Sequence, residues 1–553
     1  MTKKLNIDDL LAMYDANPNA KEIASQLRAN GIDVSDRTIQ RRIQYARQKP
    51  TRTARNPKGV LQSELPTTDP LPVARGSVYA PHKTRPQLSG NRFVFTSAQN
   101  NTYVHKEFLQ SLQRFCKLND AELIVSRFLY NKSGFQNGEG ADDVWYDPAI
   151  REFIRDESLQ VADDLVFCGE LNILPTATNP LSGFENYCAS SSAIIPHAKL
   201  AMKSMPRMKH EDPRFLYTTG AVTLRNYIAQ KAGQKAEFHH VFGALYVEID
   251  ADGDWFVRQL IADADGFFQD LTTVYTPSGI VTDVSVEAIN WGDIHVENIN
   301  LDVMECAFGD SGMLRTLNPA YQFIHDLTDF SARNHHNIKD PYFLAEKYHR
   351  GEDSVRDAIV SSAAFLEAIS ATGTQTVVVE SNHDLAFRKW LREADIRSDP
   401  QNAEYFHVNN AAIHRAIRND VSDFSIFEYA IRKVTHLDNV TFLREDESFV
   451  ICNDTEAEGE GRIIGGIECG MHGHLGPNGA RGSGANLRHI GRKANIGHVH
   501  SAGIIDGVYM AGVTCELDMG YNKGPSSWSH SHIITYPNGK RTIVTIKRGK
   551  WRA

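Results

Sequence analysis

The sequence predicts an α/β fold preceded by a small all-α module. Three observations indicate this: strand-like and helix-like runs alternate from about residue 91 onward, the first 49 residues show helical periodicity, and a proline-rich stretch separates the two patterns. The predicted regions are a helical module at 1–49, a linker at 50–90, an α/β middle domain at 91–285 and a carboxyl-terminal α/β domain at 286–553.

The amino-acid composition limits the classes of protein to which this chain can belong. The 553 residues are 41% hydrophobic and 23% charged, which is typical of a globular chain with a packed core. No apolar stretch is long enough to span a bilayer, and the start MTKKLNIDDLLAMYD lacks the features of a secretory signal. We therefore expect no membrane span and a cytoplasmic location. The seven scattered cysteines form no C-x-x-C pair, so reduced, mostly buried thiols are expected.

Charge is distributed unevenly along the chain. The net charge is −9, but residues 1–58 carry twelve Lys or Arg and six Asp or Glu, a net +6, which leaves −15 for the other 495 residues. The asymmetry indicates a basic module attached to an acidic body, and acidic bodies often hold metal ions.

The first module contains two helix-like stretches separated by Gly31. Ser35 is a suitable N-cap for the second stretch, with Asp36 in its first turn. The apolar positions with helical spacing are Ile23, Leu27, Ile39, Ile43 and Ala46.

This module resembles a helix-turn-helix, with KEIASQLRANG as the supporting helix and SDRTIQRRIQYARQK as the recognition helix. The candidate DNA-binding residues are Arg37, Arg41, Arg42 and Arg47. The alternative is a small oligomerisation or docking module with a solvated basic face.

The linker contains seven of the 21 prolines. In the middle domain, RFVFTS, AELIVSRF, DLVFCGEL and HVFGALYVEID read as strands, and VHKEFLQSLQRFCK and VTLRNYIAQKAG read as helices. The polar stretch GELNILPTATNPLSGFE is interpreted either as the lining of a cleft or as an ordinary connection, and the ordinary connection is favoured.

Five strand-like runs in the carboxyl-terminal domain each end in a burst of Asp, Asn or His. In the first, VSVEAIN leads into WGDIHVE, where strand alternation places Asp293 and His295 on the same face. The five bursts contain Asp293 and His295; Asp326 and Asp329; Asn382, His383 and Asp384; His472 and His474; and His498 and His500.

Any one burst is a weak signal, because a lone histidine is more often a core or surface residue than a ligand. Parallel strands bring their carboxyl ends to one edge of a sheet, so we expect the five bursts to converge. Convergent carboxylate, amide and imidazole groups are the ligands of a divalent metal site.

In this order the bursts resemble the motifs of the calcineurin-like metallophosphoesterase superfamily, which read D-x-H, G-D-x-x-D, G-N-H-[DE], H and G-H-x-H. The matching stretches here are Asp293-Ile294-His295, His325 to Asp329, Ser381 to Asp384, His472, and Gly497-His498-Val499-His500. The sequence departs from the pattern at His325 and Ser381, where glycine is usual, and both replacements crowd turns that favour small residues. The resemblance implies a sandwich-type metallophosphoesterase domain over 286–553.

The resemblance also implies two metal ions held by seven residues: Asp293, His295 and His500 at one ion, Asn382, His472 and His498 at the other, and Asp326 as the bridge. Two such ions lower the pKa of a bridging water and supply hydroxide for in-line attack on a phosphoester. His383 is expected to stabilise developing charge or protonate the leaving oxygen, with Asp384 fixing its tautomer. The mixed oxygen and nitrogen ligands favour Mn²⁺, with Fe, Zn or Mg²⁺ as alternatives.

Several nearby residues leave alternatives open. His474 competes with His472, which is favoured because it follows the strand more directly. Ser529-His530-Ser531-His532 is interpreted as surface or supporting structure. Candidate phosphate contacts are Arg333, Arg481, Arg488 and the basic segment GKRTIVTIKRGKWRA, for which a solvated edge strand is an equal alternative.

A two-metal centre predicts phosphoester hydrolysis without defining the substrate. The basic front module favours a polyanion, so we expect a DNA nuclease. The whole chain resembles the first-step-transfer DNase family of large siphophages, which implies degradation of host DNA in the cytoplasm of the infected cell, DNA as partner and homo-oligomerisation. The alternatives are a phosphatase or phosphodiesterase for a small or protein substrate, and a DNA-binding transcriptional regulator with a relic metal site.

Overall fold

The computed structural model describes Met13, Asn17, residues 19–30, Ile39, and the ranges 85–130, 144–452 and 466–552. The chain divides into two compact units, Met1–Ala74 and Arg75–Ala553. Within the described ranges, no helix combines the length and the apolar character that a membrane crossing requires. The four arginines predicted to contact DNA (Arg37, Arg41, Arg42 and Arg47) lie outside the described residues, as does the predicted recognition helix apart from Ile39.

The first unit contains the predicted supporting helix, α1 (Ala20–Ala29). Asn19 caps it by accepting the backbone N–H of Lys21 at 3.2 Å, and Glu22 lies in the first turn, where a negative charge opposes the helix dipole. Ile23 and Leu27 are buried as their spacing predicts, and Ile39 is also buried.

The second unit is an α/β structure. Its helices are α2 (Lys106–Asn119), α3 (Lys231–His239), α4 (Leu301–Phe308), α5 (Met313–Leu317), α6 (Pro341–Arg350), α7 (Val355–Ser370), α8 (Asp384–Glu393), α9 (Ala403–Arg418), α10 (Ile426–Val434) and α11 (Gly484–Leu487). Its strands are β1 (Arg92–Gln99), β2 (Glu122–Phe128), β3 (Ser158–Ala162), β4 (Leu165–Cys168), β5 (Ser192–Ile195), β6 (Met202–Met205), β7 (Arg214–Thr218), β8 (Gly243–Ile249), β9 (Trp255–Ile261), β10 (Phe268–Asp270), β11 (Thr273–Tyr275), β12 (Ile280–Val281), β13 (Ala288–Asn290), β14 (Tyr321–Ile324), β15 (Gln375–Val379), β16 (Val440–Leu443), β17 (Val450–Ile451), β18 (Ile467–Glu468), β19 (Lys493–Ile496), β20 (Gly503–Ile505), β21 (Val508–Met510), β22 (Ser531–Thr535) and β23 (Arg541–Thr545).

The described strands form four sheets. The six-stranded sheet has the order β16-β15-β14-β13-β22-β23, in which β13 to β16 are parallel and β22 and β23 antiparallel. The ten-stranded sheet has the order β17-β18-β19-β21-β20-β6-β7-β5-β4-β3. The two smaller sheets are β2-β1-β8-β9 and β10-β11-β12.

The ten-stranded sheet contains strands from both sides of residue 285, because β20 pairs with β6. The two regions that the sequence predicts as separate domains therefore share one sheet and belong to one compact unit. This pairing joins residues about 300 positions apart, as in Gly503 with Lys203, and no local sequence pattern specifies it.

Alternation along the parallel strands explains how the six-stranded sheet is covered on both faces. On β14, Ile324 packs with helices α4, α5, α7, α8 and α10, while Phe323 faces the opposite way. Phe323 packs in a second core with Ile451 and Ile467 of the ten-stranded sheet. The two sheets therefore share a core.

Most of the predicted elements of the middle region are confirmed. β1, β2, β4, β8 and α2 occupy the stretches predicted for them. The prediction of a helix over VTLRNYIAQKAG is wrong. Ala221 forms a β-bridge with Ser97 and Thr223 forms one with Val104, and the helix begins only at Lys231. Contacts with distant strands therefore outweigh the local helical spacing there.

One buried ion pair in this region gives a stability prediction. Arg258 donates from Nε and Nη2 to the two carboxylate oxygens of Asp270 at 2.7 Å each, and both side chains are buried. We expect Arg258→Ala to lower the free energy of unfolding by about 3–5 kcal/mol, because Asp270 would stay buried without its partner. Chemical denaturation should show little loss for the control Arg350→Ala, whose pair with Glu346 is exposed. Equal losses in the two variants would contradict this account.

Candidate metal centre

The five polar bursts of the carboxyl-terminal region follow five strands of the structure. Three bursts follow β13, β14 and β15 of the six-stranded sheet, and two follow β18 and β19 of the ten-stranded sheet. The prediction that they meet at the edge of one parallel sheet is therefore wrong in detail. They meet at neighbouring edges of two sheets, whose common core lies directly beneath them.

One group of converging side chains consists of Asp293, His295, Asp326 and His500. All four are buried, and ligand atoms from the four lie within 4.8 Å of one another. His500 Nε2 lies 2.9 Å from Asp293 Oδ2, and His295 Nε2 lies 3.8 Å from Asp326 Oδ2.

The second group surrounds Asn382. Its Oδ1 atom lies 2.9 Å from His472 Nε2 and 3.0 Å from His498 Nδ1. His472 Nε2 also lies 3.2 Å from Asp326 Oδ2, so the Asp326 carboxylate lies between the two groups. The backbone N–H of His498 donates to the Asp293 carboxylate at 2.9 Å, which joins the loops of the two sheets.

The unsatisfied atoms of this cluster fit a bound cation. Both ring nitrogens of His295 and Oδ2 of Asp326 are buried and lack a well-formed hydrogen bond, although His295 Nδ1 lies 3.2 Å from Asp329 Oδ1 and Asp326 Oδ2 lies 3.2 Å from His472 Nε2. Buried polar atoms without partners are costly and uncommon, unless an ion satisfies them. Carboxylate, amide and imidazole groups together are a suitable ligand set for Mn²⁺, Fe or Zn.

Four of the candidate ligands also have strained backbone geometry. His295, Asp326, His498 and His500 adopt positive φ angles of 48°, 41°, 68° and 57°. A non-glycine residue rarely adopts this left-handed conformation, and such outliers cluster at functional sites. The fold therefore maintains unfavourable backbone geometry at four residues in order to direct their side chains into one place.

Ser381 and His325, which stand where the resembled motifs have glycine, are accommodated differently. The hydroxyl of Ser381 accepts the backbone N–H of Asp326 at 2.9 Å while donating to Val379 O at 2.6 Å. It therefore stabilises the loop that carries Asp326. His325 is fully buried beside Gly497, and burial lowers the pKa of its imidazole to about 4.

Gly497 gives a second prediction, because a Cβ atom there would lie 2.3 Å from Asp293 Oδ1 and 3.0 Å from the side chain of His325. We expect Gly497→Ala to displace Asp293, to lower stability by about 1–3 kcal/mol and to reduce metal content. Gly279→Ala is the matched control, since no atom lies within 4 Å of the position that its methyl group would occupy. Thermal unfolding and metal analysis test both variants, and an unchanged Gly497→Ala protein would contradict the packing argument.

His383 lies beside the candidate metal ligands, with a different partner from the one predicted. Its Nδ1 atom lies 3.2 Å from Asp329 Oδ1 and 2.8 Å from the Asp329 carbonyl oxygen. Burial alone would lower the pKa of His383, but the nearby carboxylates of Asp326 and Asp329 raise it to about 10.

Asp384 has a different role from the expected one of fixing the His383 tautomer. Its carboxylate accepts the backbone N–H groups of Thr328 at 3.0 Å and Leu327 at 3.3 Å. Asp384 therefore holds the loop after β14, and Asp329 is the residue that orients His383. Burial raises the pKa of Asp384 well above its usual range, with a further rise from the neighbouring Asp326.

The contacts of the remaining histidines distinguish candidate ligands from residues with other partners. His474 Nε2 lies 2.9 Å from Glu445 Oε1, whereas His472 contacts Asp326 and Asn382, which supports the preference for His472. His532 is buried, not on the surface, and its Nδ1 accepts the backbone N–H of Gly292 at 3.0 Å.

Most of the candidate phosphate contacts are paired with acidic side chains. Arg333 forms a double hydrogen bond with Asp399 at 2.9 Å each. In the carboxyl-terminal segment, Lys550 lies among Asp250, Asp252 and Asp254 at 2.6 to 3.0 Å. These cations therefore stabilise the fold, and Lys550 neutralises a cluster of carboxylates that would otherwise suit a metal ion.

Several residues around the cluster could not be identified from the sequence. Asp329 was visible as the last residue of the second motif, but no role followed from the motif alone. Trp528 packs on the His500 ring at 4.2 Å, and Tyr521 stacks on His336 at 4.2 Å. The two aromatic residues lie in a polar, glycine-containing stretch without regular spacing, so no local signal identifies them.

Comparison with known proteins gives one clear similarity. No family model matches the chain, and no solved structure matches it. A curated protein named Protein A1, from Escherichia phage T5, is 42% identical over 565 aligned residues, which cover 100% of this chain and 95% of that protein. The chain belongs to the family of the phage T5 Protein A1.

Proposed function

We propose that this protein is a metal-dependent DNA nuclease with a two-metal centre of the metallophosphoesterase type. The observation that carries the proposal is the convergence of seven side chains from five loops, with Asp326 between two groups of ligands. A regulator with a relic site would be expected to have lost at least one of these side chains, and all seven are in place.

The seven side chains would bind two metal ions in two sets that share Asp326. Asp293, His295, Asp326 and His500 would hold one ion, and Asp326, Asn382, His472 and His498 would hold the other. When bound, two divalent ions polarise a phosphoester and lower the pKa of water, which permits hydrolysis at neutral pH.

His383 is the catalytic residue proposed to give a proton to the leaving oxygen. The carbonyl oxygen of Asp329 accepts from its Nδ1 atom at 2.8 Å, and Asp329 Oδ1 lies 3.2 Å from the same atom, which would leave Nε2 to face a substrate. Asp384 and Ser381 fix the loop of Asp326 through its backbone N–H groups.

The proposal of DNA as the substrate has separate support. The first 58 residues carry a net +6, which suits a polyanion, and they include a capped helix with the predicted buried face. The relative is a phage protein. We accordingly infer degradation of host DNA in the cytoplasm of an infected cell, by a protein that acts as a homo-oligomer.

One assay compares the proposed function with its alternatives. Purified protein is incubated with Mn²⁺ and either linear DNA, supercoiled DNA or a chromogenic phosphodiester. DNA cleavage supports the nuclease, and turnover of the small ester with intact DNA favours a phosphatase or phosphodiesterase. Retained DNA binding without hydrolysis of any substrate would favour a regulator.

A further inference from the structure

Three rings, those of Tyr521, His336 and His335, form a stack beside the candidate metal centre. The rings of Tyr521 and His336 are nearly parallel, at 5°, with their centroids 4.2 Å apart, and the ring of His335 lies 3.9 Å from that of His336. Tyr521 is partly buried and contacts Trp528, which in turn packs on His500. His335 and His336 are exposed. The stack is therefore supported at its tyrosine end and open to solvent at its histidine end.

The stack borders the candidate metal centre through His383. The ring centroid of His383 lies 5.7 Å from the centroids of both His335 and His336. It also lies 4.7 Å from the ring centroid of His295, one of the candidate ligands. A strand whose phosphodiester lies at the metal centre would therefore pass beside the exposed rings.

The loop that carries the two histidines is fixed by the fully buried side chain of Asn334. Its Oδ1 atom accepts the backbone N–H groups of His336 at 3.0 Å and Asn337 at 3.2 Å, and its Nδ2 atom donates to the Asp329 carbonyl oxygen at 3.1 Å. The same carbonyl oxygen lies 2.8 Å from His383 Nδ1. The exposed rings are thus held in place relative to His383, and a preorganised surface loses less entropy when a ligand binds.

The chemistry of the two histidines suits a flat, uncharged partner. Partial burial, together with the neighbouring His335, lowers the pKa of His336 to about 4, and burial also lowers the pKa of His335. Both rings are therefore neutral at physiological pH and have no charge with which to attract a phosphate. Histidine is one of the aromatic side chains on which unstacked nucleobases stack. A base fits this surface better than a phosphate group does.

We propose that His335 and His336 stack on a base of the strand whose phosphodiester lies at the candidate metal centre. The choice of DNA rests on the proposed function, whereas the stacking itself requires no hydrolysis. A base inside a duplex has both faces covered by its neighbours, so a base that stacks on the protein must be free of the duplex. The substrate inferred is therefore single-stranded DNA or a frayed end.

Binding of two oligonucleotides by the full-length protein tests the role of the bases. One is a labelled oligothymidine of about twelve nucleotides, within the usual range of site sizes, and the other has the same length and phosphates but abasic sugars throughout. Fluorescence anisotropy in EDTA measures both affinities without hydrolysis. The wild type is expected to bind oligothymidine at least about tenfold more tightly than the abasic strand.

The variant His335→Ala/His336→Ala is expected to bind oligothymidine at least about tenfold more weakly than the wild type, because the stacking rings are lost. Its affinity for the abasic strand should be unchanged. The slope of log K against log [salt] should also be unchanged, because no charge is removed. Both side chains are exposed, so the variant should fold normally, which circular dichroism checks.

The variant His335→Phe/His336→Phe separates stacking from metal binding. Ring nitrogens of His335, His336 and His383 lie within 4.8 Å of one another, a spacing that would also suit a third metal ion. Phenylalanine keeps the ring faces and removes the nitrogens, so this variant should bind oligothymidine as the wild type does. Equal weakening in the phenylalanine and alanine variants would overturn the proposal. Unchanged oligothymidine binding by the alanine variant, with one Zn²⁺ per chain fewer than the wild type, would assign the histidines to a third ion instead.

The matched control is His407→Ala/His414→Ala on α9, which removes two exposed histidines that are not part of the stack. Its affinities should equal those of the wild type. Equal oligothymidine affinities for the control and His335→Ala/His336→Ala would overturn the proposal. Absence of DNA hydrolysis by the wild type in the separate Mn²⁺ assay, with base-dependent binding intact, would instead count against the proposed nuclease alone.

Discussion

Asp326→Asn is expected to reduce Mn²⁺-dependent DNA hydrolysis by at least about 10³-fold, since in the proposed centre this carboxylate would contribute to both ions, and metal catalysis is worth several kcal/mol. Asp326 Oδ2 lies 3.8 Å from His295 Nε2 and 3.2 Å from His472 Nε2, between the two groups of ligands. The substitution keeps the size of the side chain and removes its charge. Initial rates on linear DNA at saturating Mn²⁺ measure the effect.

Asp310→Asn is the control for this change, because Asp310 has a fully exposed side chain in the turn between α4 and α5. Its rate should match that of the wild type. An Asp326→Asn protein that retains most of its activity would show that hydrolysis occurs elsewhere.

His383→Asn is expected to reduce DNA hydrolysis by about 10²–10⁴-fold while leaving the metal content unchanged. The reason is that His383 contacts Asp329 through Nδ1 and contacts Asp326 through its backbone N–H, at 3.0 Å, so its side chain is not one of the proposed ligands. A proton donor matters most for a poor leaving group. The loss should therefore be much smaller with a nitrophenyl diester than with DNA.

The variant Asp329→Asn tests how much the orientation of His383, as distinct from the presence of its imidazole, contributes to hydrolysis. This variant keeps the imidazole but weakens the contact at 3.2 Å, so we expect a smaller loss than for His383→Asn with the same dependence on the leaving group. Equal losses on both substrates for His383→Asn would instead assign the residue a structural role.

The candidate ligands could be predicted from sequence because each is local to the end of a strand. Asp293 and His295 follow β13 at a spacing of two, and His498 and His500 repeat that spacing after β19. Hydrophobic runs identified these strands, and the polar residues after each run marked where the strand ends. The order of these polar groups along the chain indicated that they belong to one site.

Contacts between distant segments could not be predicted in the same way. The pairing of β20 with β6 and the contact between Asp329 and His383 depend on packing, which spacing does not encode. The failed helix over residues 222–233 has the same cause, because bridges from Ala221 and Thr223 outweigh the local periodicity.

Metal analysis by mass spectrometry tests most directly whether the seven side chains hold two divalent ions. Protein equilibrated with Mn²⁺ and freed of excess ion is predicted to carry two ions per chain, with a clear loss in Asp326→Asn and no loss in Asp310→Asn. Wild-type protein without bound metal, or a metal content that Asp326→Asn leaves unchanged, would contradict the account.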